Sequence, residues 1–159
     1  SRERNIITSL HIQSEKMEVI NKRLQEKYRV IREQEVRYQT VHVEDAEILL
    51  VGYGLSARVC HRAVELARHH GIAAGLLRPI TLFPYPTEIV HTLAQQVEKI
   101  LVVEMNSGQM VEDVRLAVEG AVPVEFFGRM GGIIPSPEEV LAKLVSMMKT
   151  EQQYEVSHV

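Results

Sequence analysis

The run Ala46-Glu47-Ile48-Leu49-Leu50-Val51-Gly52-Tyr53-Gly54-Leu55-Ser56-Ala57-Arg58 decides the fold. Glu47–Tyr53 is short, β-rich and closed by glycines, which is the pattern of a buried strand. Ser56–His70 then reads as a helix with Val59, Ala63, Val64 and Ala67 on its inner side. Gly71 stands just past its end, and His69 and His70 sit where the helix dipole favours positive charge. The alternation repeats downstream. Ala73–Leu77 is a second strand stopped by Pro79, and Pro86 opens a helix to about Val97. Lys99–Glu104 is a third strand, and Gln109–Glu119 is a helix ended by Gly120. Val122–Phe127 is a fourth strand. Ser136-Pro137-Glu138-Glu139 is a capping box that opens the helix Glu138–Lys149. Strands alternating with helices of this length predict an α/β domain: a doubly wound, mostly parallel sheet with helices on both faces and right-handed crossovers.

Upstream, Met17, Ile20, Leu24, Tyr28 and Ile31 recur at spacings of 3, 4, 4 and 3, one stripe of a long amphipathic helix over 9–34 with Ser9 as N-cap. At about 1.5 Å per residue that helix is about 40 Å long. A single narrow stripe cannot make its own core, so it has to lie on the following domain or on a partner. Val36–Val43 alternates with a slip, as a short edge segment does. The expected organisation is a linker helix and extended segment over 1–45, the α/β domain over 46–149 and a frayed polar tail over 150–159.

Composition narrows the function. The 159 residues are 45% hydrophobic and 25% charged, which is ordinary for a globular protein. Eighteen Lys and Arg against 21 Asp and Glu give a net charge of -3, with no bulk pull toward nucleic acid or an anionic membrane. No apolar run is longer than Ile48–Val51, far short of the ~20 residues of a membrane helix. No secretory signal is visible, so a cytoplasmic location is the default expectation. The lone Cys60 excludes an internal disulfide, an all-cysteine iron–sulfur site and a Cys-type zinc site. The chain begins at Ser1, not Met, as expected of a processed or engineered start, or of a fragment of something longer.

Function in such sheets gathers at the carboxyl ends of the strands. Four segments qualify: Gly52–Arg58, Arg78–Pro86, Glu104–Gln109 and Gly128–Pro135. Gly52, Gly54 and Ala57 satisfy G-x-G-x-x-G/A between a strand and a helix. Small residues there let backbone N–H groups approach a phosphate. Arg78, not a carboxylate, closes the second strand, so nothing holds a ribose. A tight turn with Ser56 as N-cap and Arg58 on the first helical turn is the favoured reading. Gly54-Leu55-Ser56 lacks the second glycine of a nucleophile elbow.

Three prolines stiffen Arg78–Pro86, and its Phe83 and Tyr85 either dock on another domain or cap the core. Glu104 is a general base, a metal ligand or, in the favoured reading, an anchor that accepts backbone hydrogen bonds. Asp113 suits the first turn of its helix. Arg129 stands in a glycine-rich turn able to hold an anion. The histidines are scattered, so no metal site is expected. Cys60 is expected in the core.

These loops also carry a resemblance. Val51-Gly52-Tyr53-Gly54 with Ser56-Ala57-Arg58, Leu76-Leu77-Arg78-Pro79-Ile80-Thr81-Leu82-Phe83-Pro84-Tyr85-Pro86 and Val103-Glu104-Met105-Asn106-Ser107-Gly108-Gln109 resemble the C-terminal domain of the α subunit of 2-oxoacid:ferredoxin oxidoreductases. Gly128-Arg129 with Gly131-Gly132, followed by Pro135-Ser136-Pro137-Glu138-Glu139, is similar to the same family. So is the approach helix with Asn21–Tyr28 and Asp45-Ala46-Glu47, a stretch that most resembles its branched-chain (2-oxoisovalerate) branch. Met130 departs from the proline of many relatives.

The resemblance implies an enzyme complex that oxidatively decarboxylates a 2-oxoacid with thiamine diphosphate and magnesium. Electrons pass through iron–sulfur clusters to ferredoxin, and coenzyme A takes the acyl group. It implies a fold similar to the transketolase C-terminal domain, with no cofactor bound by this chain. The cofactors and clusters would sit on other domains or subunits, and catalysis would need the other subunits. The residues it places at the domain interface, or in contact with anions, are Gly52, Gly54, Ser56, Arg58, Arg78, Glu104, Asn106, Gln109 and Arg129. A free-standing nucleotide-binding module, or a dimerisation domain joined through the amphipathic helix, remains an alternative.

Overall fold

The computed structural model describes Arg4 and residues 10–156, with side chains up to residue 148. The chain divides into two compact units, Ser1–Glu35 and Val36–Val159.

In the first unit, α1 spans Ser14–Gln34. Its N-cap is Gln13, which makes no side-chain cap bond; the expected cap, Ser9, lies outside the described residues. Exposed ion pairs within the helix, Lys22–Glu18 and Arg29–Glu26 among them, support it weakly. None of its residues is buried, and Leu24 and Tyr28 of the apolar stripe stay 39% and 37% exposed.

The second unit is the α/β domain. Its elements are β1 (Tyr38–Val41), β2 (Ile48–Val51), α2 (Gly54–His69), β3 (Ala74–Pro79), α3 (Thr87–Ala94), β4 (Lys99–Glu104), α4 (Met110–Val118), β5 (Val124–Gly128) and α5 (Pro137–Val156). The sheet order is β1-β3-β2-β4-β5. β2, β3, β4 and β5 run parallel, and β1 closes one edge antiparallel to β3. The doubly wound sheet read from the sequence is therefore the fold.

The pleat sends alternate residues to opposite faces. Leu49, Val51, Ile100 and Val102 face α3 and α4, where Val90, Leu93, Val111 and Val114 meet them. Ile48, Leu50, Leu76, Leu101 and Val103 face α2 and α5, where Cys60, Val64, Val140 and Leu144 meet them. Each such fully buried aliphatic chain contributes about 1.5–3 kcal/mol. Both faces of β4 are covered, which is why Lys99–Glu104 reads as an almost unbroken apolar run. Lys99 reaches out of this core to donate to the Met147 carbonyl at 2.8 Å.

Arg68 fastens the segment that enters β2. Its Nη2 donates to Asp45 Oδ1 at 2.6 Å and to the His42 carbonyl at 2.9 Å, and its Nε donates to the Ala74 carbonyl at 2.7 Å. That hydrogen bond holds the Asp45 carboxyl below its usual range.

Several boundaries differ from expectation, among them β3, which runs on through Pro79, and α3, which ends at Ala94 with Pro86 as its N-cap. α2 starts at Gly54 with Tyr53 as N-cap, so Ser56 is not the cap but a residue of the first turn, 3% exposed. Gly54 has φ of +54°, which glycine adopts without penalty, and the helix can start there. α5 continues to Val156, beyond Lys149, so residues 150–156 of the expected tail are helical. At the other end of α5 the capping box forms in both directions: Glu139 N–H donates to Ser136 Oγ at 3.1 Å, and Ser136 N–H donates to Glu139 Oε2 at 2.8 Å.

Candidate functional site

Because β2 to β5 are parallel, the four segments that follow them share one rim. What each residue does there differs.

The segment after β4 is built around one carboxylate. Glu104 is fully buried at the end of the strand. Its Oε1 accepts from the Val111 N–H at 3.0 Å and the Gln109 N–H at 3.2 Å. Its Oε2 accepts from the Met110 N–H and from Asn106 Nδ2, both at 3.0 Å. Three backbone donors at the start of α4, orphaned in any helix, thus end on a charge that the helix dipole favours. Asn106 Oδ1 closes the turn by accepting from the Gly108 N–H at 2.7 Å. Glu104 with all these donors is an anchor. The Gln109 side chain is left exposed.

Glu104 also acts on its neighbours. Asp113 is pushed up from its usual carboxyl range by burial and then by the charge of Glu104. The Tyr85 phenol is pushed up by burial first, then by the charges of Asp113 and Glu104.

The segment after β5 leans on the same anchor. Arg129 N–H donates to the Glu104 carbonyl at 3.2 Å, and Arg129 Nη1 donates to Glu139 Oε1 at 2.9 Å. Arg129 is therefore already paired. A Cβ at Gly128 would stand 2.5 Å from the Asn106 carbonyl oxygen, so only glycine lets these two segments touch.

The segment after β2 explains both of its glycines by packing. A Cβ at Gly52 would stand 3.2 Å from Cys60 Sγ and 3.3 Å from the Ala57 nitrogen. Gly54 needs its positive φ. Gly52 and Ser56 point no side chain at the rim, whereas Gly54 and Arg58 are exposed.

The segment after β3 is the least self-sufficient. Arg78 Nη1 reaches Gln39 Oε1 at only 3.5 Å, and its buried Nε has no partner. The Tyr85 hydroxyl is also buried without a partner. Phe83 and Tyr85 divide the two readings between them. Tyr85 packs onto the core, and Phe83, which is joined to Pro84 by a cis bond, is 59% exposed.

Besides Phe83, the segments of the rim carry apolar chains that the sequence reading passed over. Ile80, Leu82, Leu55, Met130, Ile133 and Ile134 are all between 42% and 60% exposed. The signal was available, since Ile133-Ile134 and Ile80 sit in proline- and glycine-rich turns where no periodicity can bury them. Among the described residues no three His, Cys, Asp or Glu side chains come together as metal ligands, and no helix is long and apolar enough to cross a membrane.

Fold and rim together define a doubly wound α/β domain with its exposed apolar residues concentrated at the carboxyl ends of its strands. The chain belongs to the pyruvate:ferredoxin oxidoreductase core domain II family, whose model matches residues 46–140.

It is 48% identical over 141 residues to the ketoisovalerate oxidoreductase subunit VorB of Methanothermobacter marburgensis, covering 89% of this chain and 40% of that protein. It is 36% identical over 130 residues to the 2-oxoglutarate synthase subunit KorA of the same organism, covering 82% of this chain and 35% of that one. The chain thus spans about two-fifths of the curated relatives it matches. Its fold is that of part of the 2-oxoglutarate:ferredoxin oxidoreductase from Magnetococcus marinus, solved with 2-oxoglutarate, coenzyme A and succinyl-CoA bound. The TM-score is 0.73 at 18% identity, over 86% of this chain and 24% of that one.

Proposed function

We propose that this chain is the docking domain of a 2-oxoacid:ferredoxin oxidoreductase α subunit acting on a branched-chain 2-oxoacid, 2-oxoisovalerate. In this reading it packs its rim against the thiamine-binding domains and catalyses nothing alone. The carrying observation is the rim itself: seven exposed large apolar residues, Phe83 foremost, beside a rigid, internally bonded Glu104 turn. Apolar patches of this kind mark contacts with other protein. The identity to VorB supports the branched-chain substrate over 2-oxoglutarate.

The donor set of the described residues does not fit magnesium or an iron–sulfur cluster. Glu104 spends its carboxylate on backbone donors, no described cluster offers magnesium its ligands, and one buried cysteine cannot hold an iron–sulfur cluster. Thiamine diphosphate, magnesium and the clusters are assigned to other domains or subunits, and ferredoxin and coenzyme A meet the assembled enzyme.

The test is a Phe83→Asp/Ile133→Asp double variant expressed with the remaining subunits of the complex. Loss of co-purification and of 2-oxoisovalerate-dependent ferredoxin reduction, with the variant domain still folded, is the expected result. Full assembly and turnover would overturn the reading.

A further inference from the structure

We infer that the flank of the α/β domain between α2 and the β1–β3 edge is a binding site for a phosphoryl oxyanion, taken without a metal. This goes beyond the docking role and does not rest on it.

A cavity of about 280 Å³ opens there, lined by Gln39, Val41, Arg58, His61, Leu76 and Arg78 over Ala57. Topology makes it. Leu76 and Arg78 lie two apart on β3 and share the α2 face of the sheet, and Gln39 of β1 is the register partner of Arg78. Arg58 and His61 lie three apart on α2 and so share one side of the helix. Two guanidinium groups, an imidazole and an amide therefore converge from three elements that are distant in sequence.

Charge says what fits. Among the described residues no carboxylate lines the cavity. The nearest one to His61 is Glu65, 3.6 Å from Nδ1 and already bound by Arg62 at 2.7 Å. Elsewhere in the domain Arg62, Arg68, Arg115 and Arg129 each have a carboxylate partner. Among the described residues Arg58 and Arg78 have none. The buried Arg78 Nε has no acceptor among the described residues. An unsatisfied buried donor is costly, and an incoming oxyanion would satisfy it.

Arginine forks match tetrahedral oxyanions, which offer more acceptors and more charge than one carboxylate can share between two guanidiniums. The volume is below the usual range for a whole ligand and suits a phosphate or diphosphate group. With no acidic residue among the described lining to bridge a divalent cation, the anion is held by the two arginines, with the His61 imidazole and the Gln39 amide beside them.

The test is calorimetric titration of the 159-residue chain with inorganic diphosphate, at fixed ionic strength and without divalent metal. One saturable site is expected, weakened about tenfold or more in Arg58→Gln and in Arg78→Met. Arg58 is exposed on its helix, so its variant keeps the test valid if Arg78→Met does not fold. An ADP arm separates the sources. Tighter binding of ADP than of diphosphate assigns the site to the phosphates of a nucleotide, and equal binding assigns it to the free anion. Absence of saturable binding, equal affinity in Arg58→Gln, or succinate binding as tightly as diphosphate would each overturn the proposal.

Discussion

Two turns on one rim solve the same problem in opposite ways. The turn after β4 satisfies itself: Glu104 and Asn106 together bond the N–H groups of Gly108, Gln109, Met110 and Val111. The end of β3 and the proline-stiffened turn after it leave the Arg78 Nε and the Tyr85 hydroxyl buried and unpartnered, with Ile80, Leu82 and Phe83 exposed. A rim made wholly of the first kind would be inert, and a rim made wholly of the second would not hold its shape. Here a self-contained turn gives a fixed base for one that keeps a buried guanidinium nitrogen and a buried hydroxyl unsatisfied.

The largest effect should fall on the self-contained turn. Glu104→Ala strands several buried donors at once and is expected to lose about 3–5 kcal/mol. Glu104→Gln, which keeps an acceptor but no charge, should lose roughly half of that. Urea unfolding midpoints measure both. If Glu104→Ala loses less than about 1 kcal/mol, the contrast between the turns disappears.

How far the contrast was legible in the sequence depends on distance along the chain. Lys99–Glu104 was readable at both ends because a strand covered on both faces leaves an apolar run. Glu104 as an anchor was readable because its donors lie within seven residues of it. Ser56 was misplaced as a cap because Gly54 opens the helix two residues earlier, at a φ that residue identity permits but does not announce. The division of labour between Phe83 and Tyr85 was not readable at all, since a turn with three prolines has no periodicity to assign a face. Nor was the meeting of Arg58 with Arg78, which depends on where α2 crosses the sheet and on the register of β1 against β3.

The turn after β3 should respond with the opposite sign. Tyr85→Phe removes a buried hydroxyl that has no partner, and is expected to stabilise the free chain by up to about 1 kcal/mol. Alkaline titration sharpens this. The Tyr85 phenol is raised above its ordinary value, so its neutral form contributes stability that is fully present below the ordinary phenol range and is lost as pH rises beyond it. The Cys60 thiol, pushed up to about 12 by burial, produces a similar loss that begins in the ordinary thiol range. Tyr85→Phe should therefore flatten only the upper part of the alkaline decline, and Cys60→Ser should flatten its onset. A Tyr85→Phe chain that is less stable at neutral pH would mean that the hydroxyl is bonded after all.

The smallest effect should come from the outward face of that same turn. Ile80 and Phe83 are 55% and 59% exposed. Removing their apolar atoms takes little from the core, so Ile80→Ser and Phe83→Ser should change the unfolding free energy of the free chain by no more than about 0.5 kcal/mol. Their effect should appear only when the other subunits are present, as weaker assembly at an unchanged melting temperature of the free domain. A large loss of stability in the free chain would place both residues in this domain's own core. The two turns would then be alike, both serving the fold, and the docking surface would have to be sought elsewhere.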